Sequence, residues 1–231
     1  MDASIFISRY QNLLDRVAAA CRRCGRNPSD VRIVVVTKTH PAEIAQTVID
    51  AGIRDIGENR VQEIEAKVPL LSGAFEMHLI GHLQANKVNK VVPLVSWIQS
   101  IDSVRLADKV NGAADSCQKR IRALVQVKTS AEETKSGCAP EECLDLAAHI
   151  SRSSNLEFCG LMTIGPLSAA EEQTRASFSL LRSLGETCSH LAPRVELSMG
   201  MSSDLEWAIE EGSTMIRVGT MLLGNREYPP R

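Results

Sequence analysis

Apolar and polar residues follow two different periodicities along this chain, and the pattern switches repeatedly between them. Residues 3–24 carry apolar side chains such as Phe6 and Leu13 at helical spacing, and Gly25 then ends the pattern. Residues 33–36 are four consecutive β-branched residues, which is typical of a strand buried on both faces. The first segment predicts an amphipathic helix over one end or flank of the core. The second predicts the first strand of a parallel sheet.

Strand-like and helix-like segments then alternate to the end of the chain. The predicted strands lie at residues 33–36, 54–58, 77–81, 97–102, 123–128, 156–164, 195–199 and 215–220. The helical patterns between them cover residues 42–51, 59–71, 83–92, 103–117, 140–151, 169–190 and 204–211. Strict alternation without a linker-like break in composition favours one parallel sheet. Eight strands predict a single (β/α)8 TIM barrel domain of the α/β class over residues 1–231, with an extra amino-terminal helix, and an open doubly wound sheet is the alternative.

The composition limits the class of partner. Basic and acidic residues number 26 and 28, so the net charge of −2 does not favour nucleic acid or an anionic membrane. Aromatic residues make up only 3%, which argues against base stacking on single strands. No apolar run approaches the ~20 residues that span a bilayer, and the amino terminus lacks a secretory pattern. Seven cysteines, an odd number, suit a reducing compartment, so we expect a cytoplasmic protein.

Cysteines and histidines offer little sign of a metal centre. Cys21 and Cys24 have the spacing of a metal or redox pair, but their helical pattern and the lack of a second such pair favour a structural role. His78 and His82 are four apart, but a glycine and a strand end separate them. No metal is predicted.

Lys38 follows the first strand at the point where α/β folds place their chemistry. Pro41 forces a break just beyond it and suits the first turn of a helix. A partly buried lysine at a strand end could present a neutral amine and form a Schiff base. The alternative is a lysine that snorkels at the rim of the sheet.

The other strand ends carry an unusual number of polar side chains. In a barrel these ends converge on one face, and such a set indicates a binding face rather than a capped core. The residues at these positions are Lys38, Glu58, Asn59, Gly81, His82, Ser100, Asp102, Lys128, Thr129, Met162, Thr163, Ser198, Arg217, Gly219 and Thr220.

Two of these strand ends have the chemistry of an anion site. Residues 197–204 pass from a strand through Gly200 to serines at a helix start, where backbone N–H groups and hydroxyls hold phosphate well. Gly219 and Thr220 repeat this arrangement after the last strand, and barrels often bind phosphate on these two loops. The alternative is simple capping of the helix by Ser202 or Ser203.

Arg217 completes a recognisable set of groups. It lies in an otherwise apolar strand, and an arginine aimed into a barrel is costly unless it meets an acceptor, such as an aromatic ring nitrogen. A lysine, a phosphate cradle and an arginine for a ring nitrogen together describe a site for pyridoxal 5′-phosphate (PLP).

At this point the sequence resembles the pyridoxal phosphate homeostasis protein family over essentially its whole length. The matching motifs are Thr37-Lys38-Thr39, Ile56-Gly57-Glu58-Asn59 with Gln62-Glu63, His78-Leu79-Ile80-Gly81-His82-Leu83-Gln84-Ala85-Asn86-Lys87, Ser100-Ile101-Asp102, Lys135-Ser136-Gly137, Gly160-Leu161-Met162-Thr163-Ile164, Leu197-Ser198-Met199-Gly200-Met201-Ser202, Arg217-Val218-Gly219-Thr220 and Gly224-x-Arg226-x-Tyr228. So many motifs in the same order make the resemblance specific.

The resemblance implies a fold-type III barrel like the amino-terminal domain of alanine racemase, with PLP held as an imine on Lys38. It further implies that Arg217 faces the pyridine nitrogen and that Asn59 lies beside the ring. The residues that it places around the phosphate are Ser198, Ser202, Gly219 and Thr220. One departure is Lys128, since family members often carry asparagine there, and this second amine would either perturb the imine or point outward.

The same residues favour a carrier over a catalyst. A permanently protonated arginine at the ring nitrogen disfavours ring protonation and so weakens the cofactor as an electron sink. In alanine racemases a second acid/base residue comes from an additional carboxyl-terminal domain. This chain has about ten residues beyond its last predicted strand, which we expect to be too few for such a domain. Tyr10 and Tyr228 lie near the termini and are poor substitutes.

We therefore expect a monomeric protein that stores, delivers or buffers PLP, with recipient apo-enzymes as partners and no catalytic residue. Lys87 and Lys135 could help to release the phosphate, although solvated surface lysines explain them equally simply. One alternative is a small fold-type III enzyme, such as an amino-acid racemase with Lys38 as its base. Another is a pseudoenzyme whose cofactor signals metabolic state to a partner.

Overall fold

Eight parallel strands close into a barrel in the order of the chain, and helices surround it. The computed structural model describes residues 2–130, 136–166 and 170–224. The strands are β1 (Arg32–Val36), β2 (Asp55–Glu58), β3 (Glu76–Leu79), β4 (Trp97–Ile101), β5 (Ile121–Gln126), β6 (Leu156–Met162), β7 (Glu196–Ser198) and β8 (Met215–Val218). The described α-helices are α1 (Ala3–Arg23), α2 (Ala42–Asp50), α3 (Val61–Lys67), α4 (Val88–Val91), α5 (Val104–Ser116), α6 (Cys143–Ser151), α7 (Glu171–Thr187), α8 (Leu205–Glu210) and α9 (Thr220–Leu223).

Closure of the sheet confirms the predicted (β/α)8 barrel. Strand β1 pairs in parallel with both β2 and β8, so the sheet has no free edge and the open doubly wound alternative is wrong. The strand pairing also shows which side chains face the helices and which face the barrel interior. Val35 and its partner Ile56 face the helices, and Val36 and its partner Gly57 face the interior. A large apolar cluster fills the space between strands and helices, and a small one around Val34 and Trp97 fills the interior.

The extra amino-terminal helix α1 packs on the flank of the barrel next to α8 and α9. Its apolar stripe is buried, with Phe6 and Leu13 at 1% and 0% exposure. Arg16 forms a two-pronged ion pair with Glu206 of α8, with N–O distances of 2.6 and 2.9 Å. Arg9 donates to the carbonyl of Leu222 in α9 at 3.1 Å. The predicted flank helix is confirmed, and it lies against the two helices that follow the last strands.

Several helices are shorter than the sequence pattern predicts. The pattern at 59–71 forms an α-helix only to Lys67 and continues as a 3₁₀ turn, because Pro69 has no N–H for the α-helical ladder. The pattern at 83–92 forms an α-helix only in α4, since the backbone is still extended at Gln84. The predicted start of the 169–190 helix at Ala169 lies outside the described residues.

The last strand also ends early, at Val218 rather than at residue 220, because Gly219 already occupies the cap position of α9. Among the helices that the structure describes, none combines the length and apolar character needed to cross a membrane.

Candidate cofactor-binding site

A cavity of about 560 Å³ opens at the carboxyl ends of the strands. Six of the seven residues predicted to bind the cofactor contribute to its lining, namely Lys38, Asn59, Ser202, Arg217, Gly219 and Thr220. Gln126 and Ser136 also line it, and neither was predicted as a site residue. A second cavity of about 790 Å³ adjoins the first and shares Asn59 and His82 with it. The strand ends therefore do converge on one concave face.

The segment that carries Lys38 is fixed by its backbone on both sides. Lys38 is half-buried. Before it, the Thr37 N–H donates to the Gly57 carbonyl at 3.0 Å. After it, Thr39 adopts a left-handed conformation with φ of 66°, which is uncommon for a β-branched residue. The Thr39 N–H donates to Oε2 of Glu63 at 2.7 Å, so tertiary contacts hold this unusual turn in place.

A buried charge cluster lies beneath the Lys38 segment, between the barrel and α3. The ammonium of Lys67 donates to Oε1 of Glu58 at 2.6 Å and to the carbonyl of Thr37 at 2.9 Å. The Thr37 hydroxyl donates to the same oxygen of Glu58 at 2.6 Å. Burial raises the pKa of Glu58 to about 7, against the opposing effect of Lys67. Lys67 was not among the predicted site residues, although its i,i+4 spacing from Glu63 was a signal for an ion pair.

The loop after β7 turns sharply so that its serines reach the cavity. Gly200 has φ of 95°, and a Cβ there would lie 2.5 Å from the Cβ of Ala208, so a larger residue cannot make this turn. Ser202 and Ser203 line the cavity beyond the turn. Asp204, rather than either serine, occupies the N-cap position of α8. The capping explanation for the serines is therefore wrong.

Ser198 lies deeper in the barrel than the other residues predicted to contact the phosphate. It is fully buried in β7 and is not part of the described cavity lining. Its hydroxyl lies 2.7 Å from Nη1 of Arg217 and 2.7 Å from Oε1 of Gln99. The inward alternation of β7 explains this, because Ser198 points into the barrel below the cavity. The structure therefore does not bring Ser198 together with Ser202 as predicted.

Arg217 points from β8 into the barrel and is only 5% exposed. It donates from Nη1 to Ser198 and from Nη2 to the carbonyl of Thr163 at 2.8 Å. Burial lowers the pKa of Arg217 to about 10, while the charge of Asp204 acts in the opposite direction. The guanidinium is still protonated at neutral pH, and Arg217 forms part of the cavity wall.

Small residues let the loops approach each other around the cavity. A Cβ on Gly81 would lie 2.1 Å from the carbonyl oxygen of Asn59, so the two loops pack backbone to backbone. A Cβ on Gly219 would lie 2.9 Å from the carbonyl oxygen of Val36. These close approaches bring Asn59 and the β8 loop beside Lys38.

The three lysines named in the sequence analysis have different positions. Lys128 is exposed and does not contribute to the described cavity lining, and its backbone N–H donates to the Cys138 carbonyl at 3.0 Å. Lys87 lines the adjoining cavity. Lys135 lies outside the described residues. In the described part of the chain, no group of three His, Cys, Asp or Glu side chains could hold a metal ion.

Known proteins with the same fold share a barrel of the alanine racemase type. The alanine racemase N-terminal domain family matches residues 9–227. Alanine racemase of Clostridium difficile shares the fold, with a TM-score of 0.77 at 15% identity over 96% of this chain and 58% of that chain. The chain is thus a barrel of the alanine racemase amino-terminal type.

Closer relatives identify the family. Pyridoxal phosphate homeostasis protein of Homo sapiens is 41% identical over 223 residues, covering 88% of this chain and 81% of that protein. The protein of that name from Vibrio alginolyticus is 37% identical and covers 96% of this chain and 100% of its own. The structure of PipY from Synechococcus elongatus with PLP bound matches with a TM-score of 0.78 at 36% identity, over 91% of this chain and 99% of that chain. This chain belongs to the pyridoxal phosphate homeostasis protein family, which confirms the resemblance seen in its sequence.

Proposed function

We propose that this protein binds PLP covalently and reversibly at Lys38 and serves as a carrier that stores, delivers or buffers the cofactor. The observation that carries the proposal is the presence of Lys38 and Arg217 in the wall of one cavity, flanked by the loops after β7 and β8. When bound, PLP supplies an aldehyde carbon that a lysine amine can attack.

The described residues fit this cofactor. Arg217 presents a buried cation. Among the described residues, Ser198 and Thr163 accept from two of the five N–H groups of its guanidinium. Ser202, Gly219 and Thr220 would hold the phosphate, and Asn59 would lie beside the ring. An apolar cavity without these groups would not select an anionic heteroaromatic ring.

The arginine supports a carrier rather than an electron-sink enzyme. It stays protonated at neutral pH because its lowered pKa is still about 10, so it can only donate to a ring nitrogen and disfavours a proton on that nitrogen. The site would then bind and release the cofactor, but it would stabilise a carbanion only weakly. Recipient apo-enzymes are part of this proposal, because a carrier needs an acceptor.

Absorption spectra test the covalent anchor. The wild-type protein should gain a visible band with PLP, and borohydride should convert the link to a stable adduct on the peptide that contains Lys38. The Lys38→Ala variant should gain neither the band nor the adduct, whereas Lys128→Ala should behave as wild type. A wild-type protein that stays colourless, or an adduct on another lysine, would refute the assignment.

Two further assays separate a carrier from a catalyst. The protein loaded with PLP should restore activity to an apo-enzyme that lacks PLP. The rate of this restoration should depend on Lys38. It should leave the optical rotation of a single amino-acid enantiomer unchanged over many equivalents of substrate. Sustained loss of optical rotation would instead establish a racemase.

A further inference from the structure

A continuous line of polar side chains runs through the interior of the barrel, beneath the cavity. It starts at Arg217 in β8 and passes through Ser198 to Gln99, with Oγ–Oε1 at 2.7 Å. It continues from Nε2 of Gln99 to Nδ1 of His78 at 3.0 Å and from Nε2 of His78 to Oδ1 of Asp55 at 2.9 Å. Ser198, Gln99 and His78 are all fully buried. Asp55 begins β2, so the line ends at the opposite mouth of the barrel.

The chemistry of the groups at the two ends of this line determines which group donates in each of its hydrogen bonds. A guanidinium can only donate, so the Ser198 oxygen accepts from Arg217 and its single proton goes to Oε1 of Gln99. The Gln99 amide nitrogen must then donate to His78, and its other N–H faces Sδ of Met215 at 3.1 Å.

His78 is therefore the tautomer with its proton on Nε2, which donates to Asp55. Burial lowers the pKa of His78 and keeps the ring neutral, although Asp55 acts in the opposite direction. Asp55 also accepts from Arg32 at 2.9 Å, so its carboxylate is charged and paired.

The reverse orientation of Gln99 is unfavourable at both ends. Its NH₂ group would then face Ser198. The Ser198 oxygen would accept two hydrogen bonds, and the proton of this hydroxyl would have no acceptor in this line. Its carbonyl oxygen would face Nδ1 of His78, so the ring proton would have to lie on Nδ1. The unprotonated Nε2 and the carboxylate of Asp55 would then be two acceptors in contact at 2.9 Å. Buried groups without partners are costly, so a single orientation dominates.

We propose that Ser198, Gln99 and His78 are positioning residues that aim the Arg217 guanidinium at the ring nitrogen of the bound cofactor. The line holds the guanidinium through Nη1, while Nη2 donates to the Thr163 carbonyl and Arg217 forms part of the cavity wall. Asp55, at the far mouth, anchors the line. This inference rests on the proposed function, because it assigns the target of Arg217 to PLP.

Matched variants test the positioning role. Ser198→Ala removes the acceptor next to Arg217 and should raise the PLP dissociation constant about tenfold, since hydrogen bonds to charged groups are worth this much. Ser198→Thr keeps a hydroxyl and should stay within about twofold of wild type. Gln99→Leu breaks the line one step further away and should weaken binding in the same direction, with a shifted absorption maximum. Wild-type affinity and spectrum in both Ser198→Ala and Gln99→Leu would overturn the inference.

Nitrogen NMR of His78 tests the line without any cofactor. In the wild-type apoprotein, Nε2 should carry the proton and Nδ1 should show the shift of an unprotonated ring nitrogen. In Gln99→Glu the new carboxylate accepts from both neighbours, so Nδ1 should become protonated as well. A wild-type His78 protonated on Nδ1 would refute the line, even if the variants were too unstable to purify.

These outcomes separate the two claims. A wild-type protein that fails to retain PLP on Lys38 would refute the proposed function, whatever the state of His78. A wild-type protein that binds PLP normally, with Ser198→Ala unaffected, would refute only the positioning role. Circular dichroism of each variant establishes that it is folded before its affinity is compared.

Discussion

At the scale of single residues, the protonation state of Glu58 is the least ordinary feature of the molecule. Its Oε1 accepts from Lys67 and Thr37, but Oε2 is buried and accepts no hydrogen bond from the described residues. Glu63 lies close enough for the two carboxyl groups to share a proton. Two ionised carboxylates beside one ammonium would leave a net negative charge in the interior. Burial of the carboxyl group is the main cause of the raised pKa of Glu58, and its contact with Glu63 raises the pKa further.

The raised pKa predicts how stability depends on pH. The unfolded carboxyl group titrates near 4.5 and the folded one near 7, so between these values the folded state binds more protons. The stability that this group contributes must therefore fall as pH rises through that window. The free energy of unfolding of wild type minus that of Glu58→Gln should drop by roughly 1–3 kcal/mol between about pH 5 and about pH 8, since one pKa unit is worth about 1.4 kcal/mol.

Urea denaturation of both proteins at several pH values would measure this difference. A constant difference across the window would show that Glu58 is ionised throughout. Because Glu58 accepts from Thr37 and the neighbouring Glu63 accepts from Thr39, the same titration should also affect the backbone on either side of Lys38.

At the scale of elements, helix α1 illustrates how a segment outside the (β/α)8 repeat supports the site. It packs on α8 and α9, and the loops that precede those two helices carry Ser202 and Gly219 into the cavity. Its ion pair between Arg16 and Glu206 is partly solvated, at 39% and 26% side-chain exposure, and is worth little. The apolar stripe of α1 therefore supplies most of its attachment.

Neighbouring leucines on α1 allow a matched test of that attachment. Leu13 is fully buried and Leu14 is 37% exposed. Leu13→Ala should lower the free energy of unfolding by about 2–4 kcal/mol, because it leaves a cavity in a packed interface. Leu14→Ala should change it by less than about 1 kcal/mol. Denaturant midpoints would measure both, and equal losses would contradict the described helical face.

At the scale of the whole molecule, closure of the barrel places one buried arginine where it contacts two other strands and the cavity. Arg217 donates to β7 through Ser198, to the end of β6 through the Thr163 carbonyl, and faces the cavity. The opposite mouth uses its arginines differently. There Arg122 lies over the ring of Trp97 at 4.9 Å and pairs with Glu76 at 3.0 Å. The arginine at the cavity mouth therefore borders the candidate site, whereas the arginine at the opposite mouth makes contacts that support the fold.

Exchanging arginine for lysine at each mouth tests this separation. In Arg217→Lys one ammonium cannot reach Ser198, Thr163 and a ligand together, so PLP should bind about tenfold more weakly. In Arg122→Lys, at the far mouth, affinity should stay at the wild-type value. Equilibrium titration with PLP, followed by absorbance, would measure both. Equal affinity in the two variants would contradict the division of roles.

The barrel, the flank helix and the principal candidate site residues could be predicted from the amino-acid sequence. These features depend on local signals: β-branched runs, helical periodicity, glycine-containing turns, and polar residues where strands end. A side chain at the end of a strand must reach the same face of the barrel as the others. Lys38, Arg217, Ser202 and Gly219 could therefore be assigned to one face from the sequence pattern alone.

The pairing of the buried polar groups could be seen only in the folded barrel. Ser198 and Gln99 are separated by 99 residues, and Thr37 and Lys67 by 30, so their contacts depend on strand register and on helix placement. A shift of one residue in β7 would have pointed Ser198 at the helices instead of at Arg217. The exposure of Lys128 likewise became visible only in the folded chain, since its own sequence context left open whether it would reach the cavity. Local periodicity sets which residues form each element, whereas partners inside the barrel exist only once all eight strands have closed.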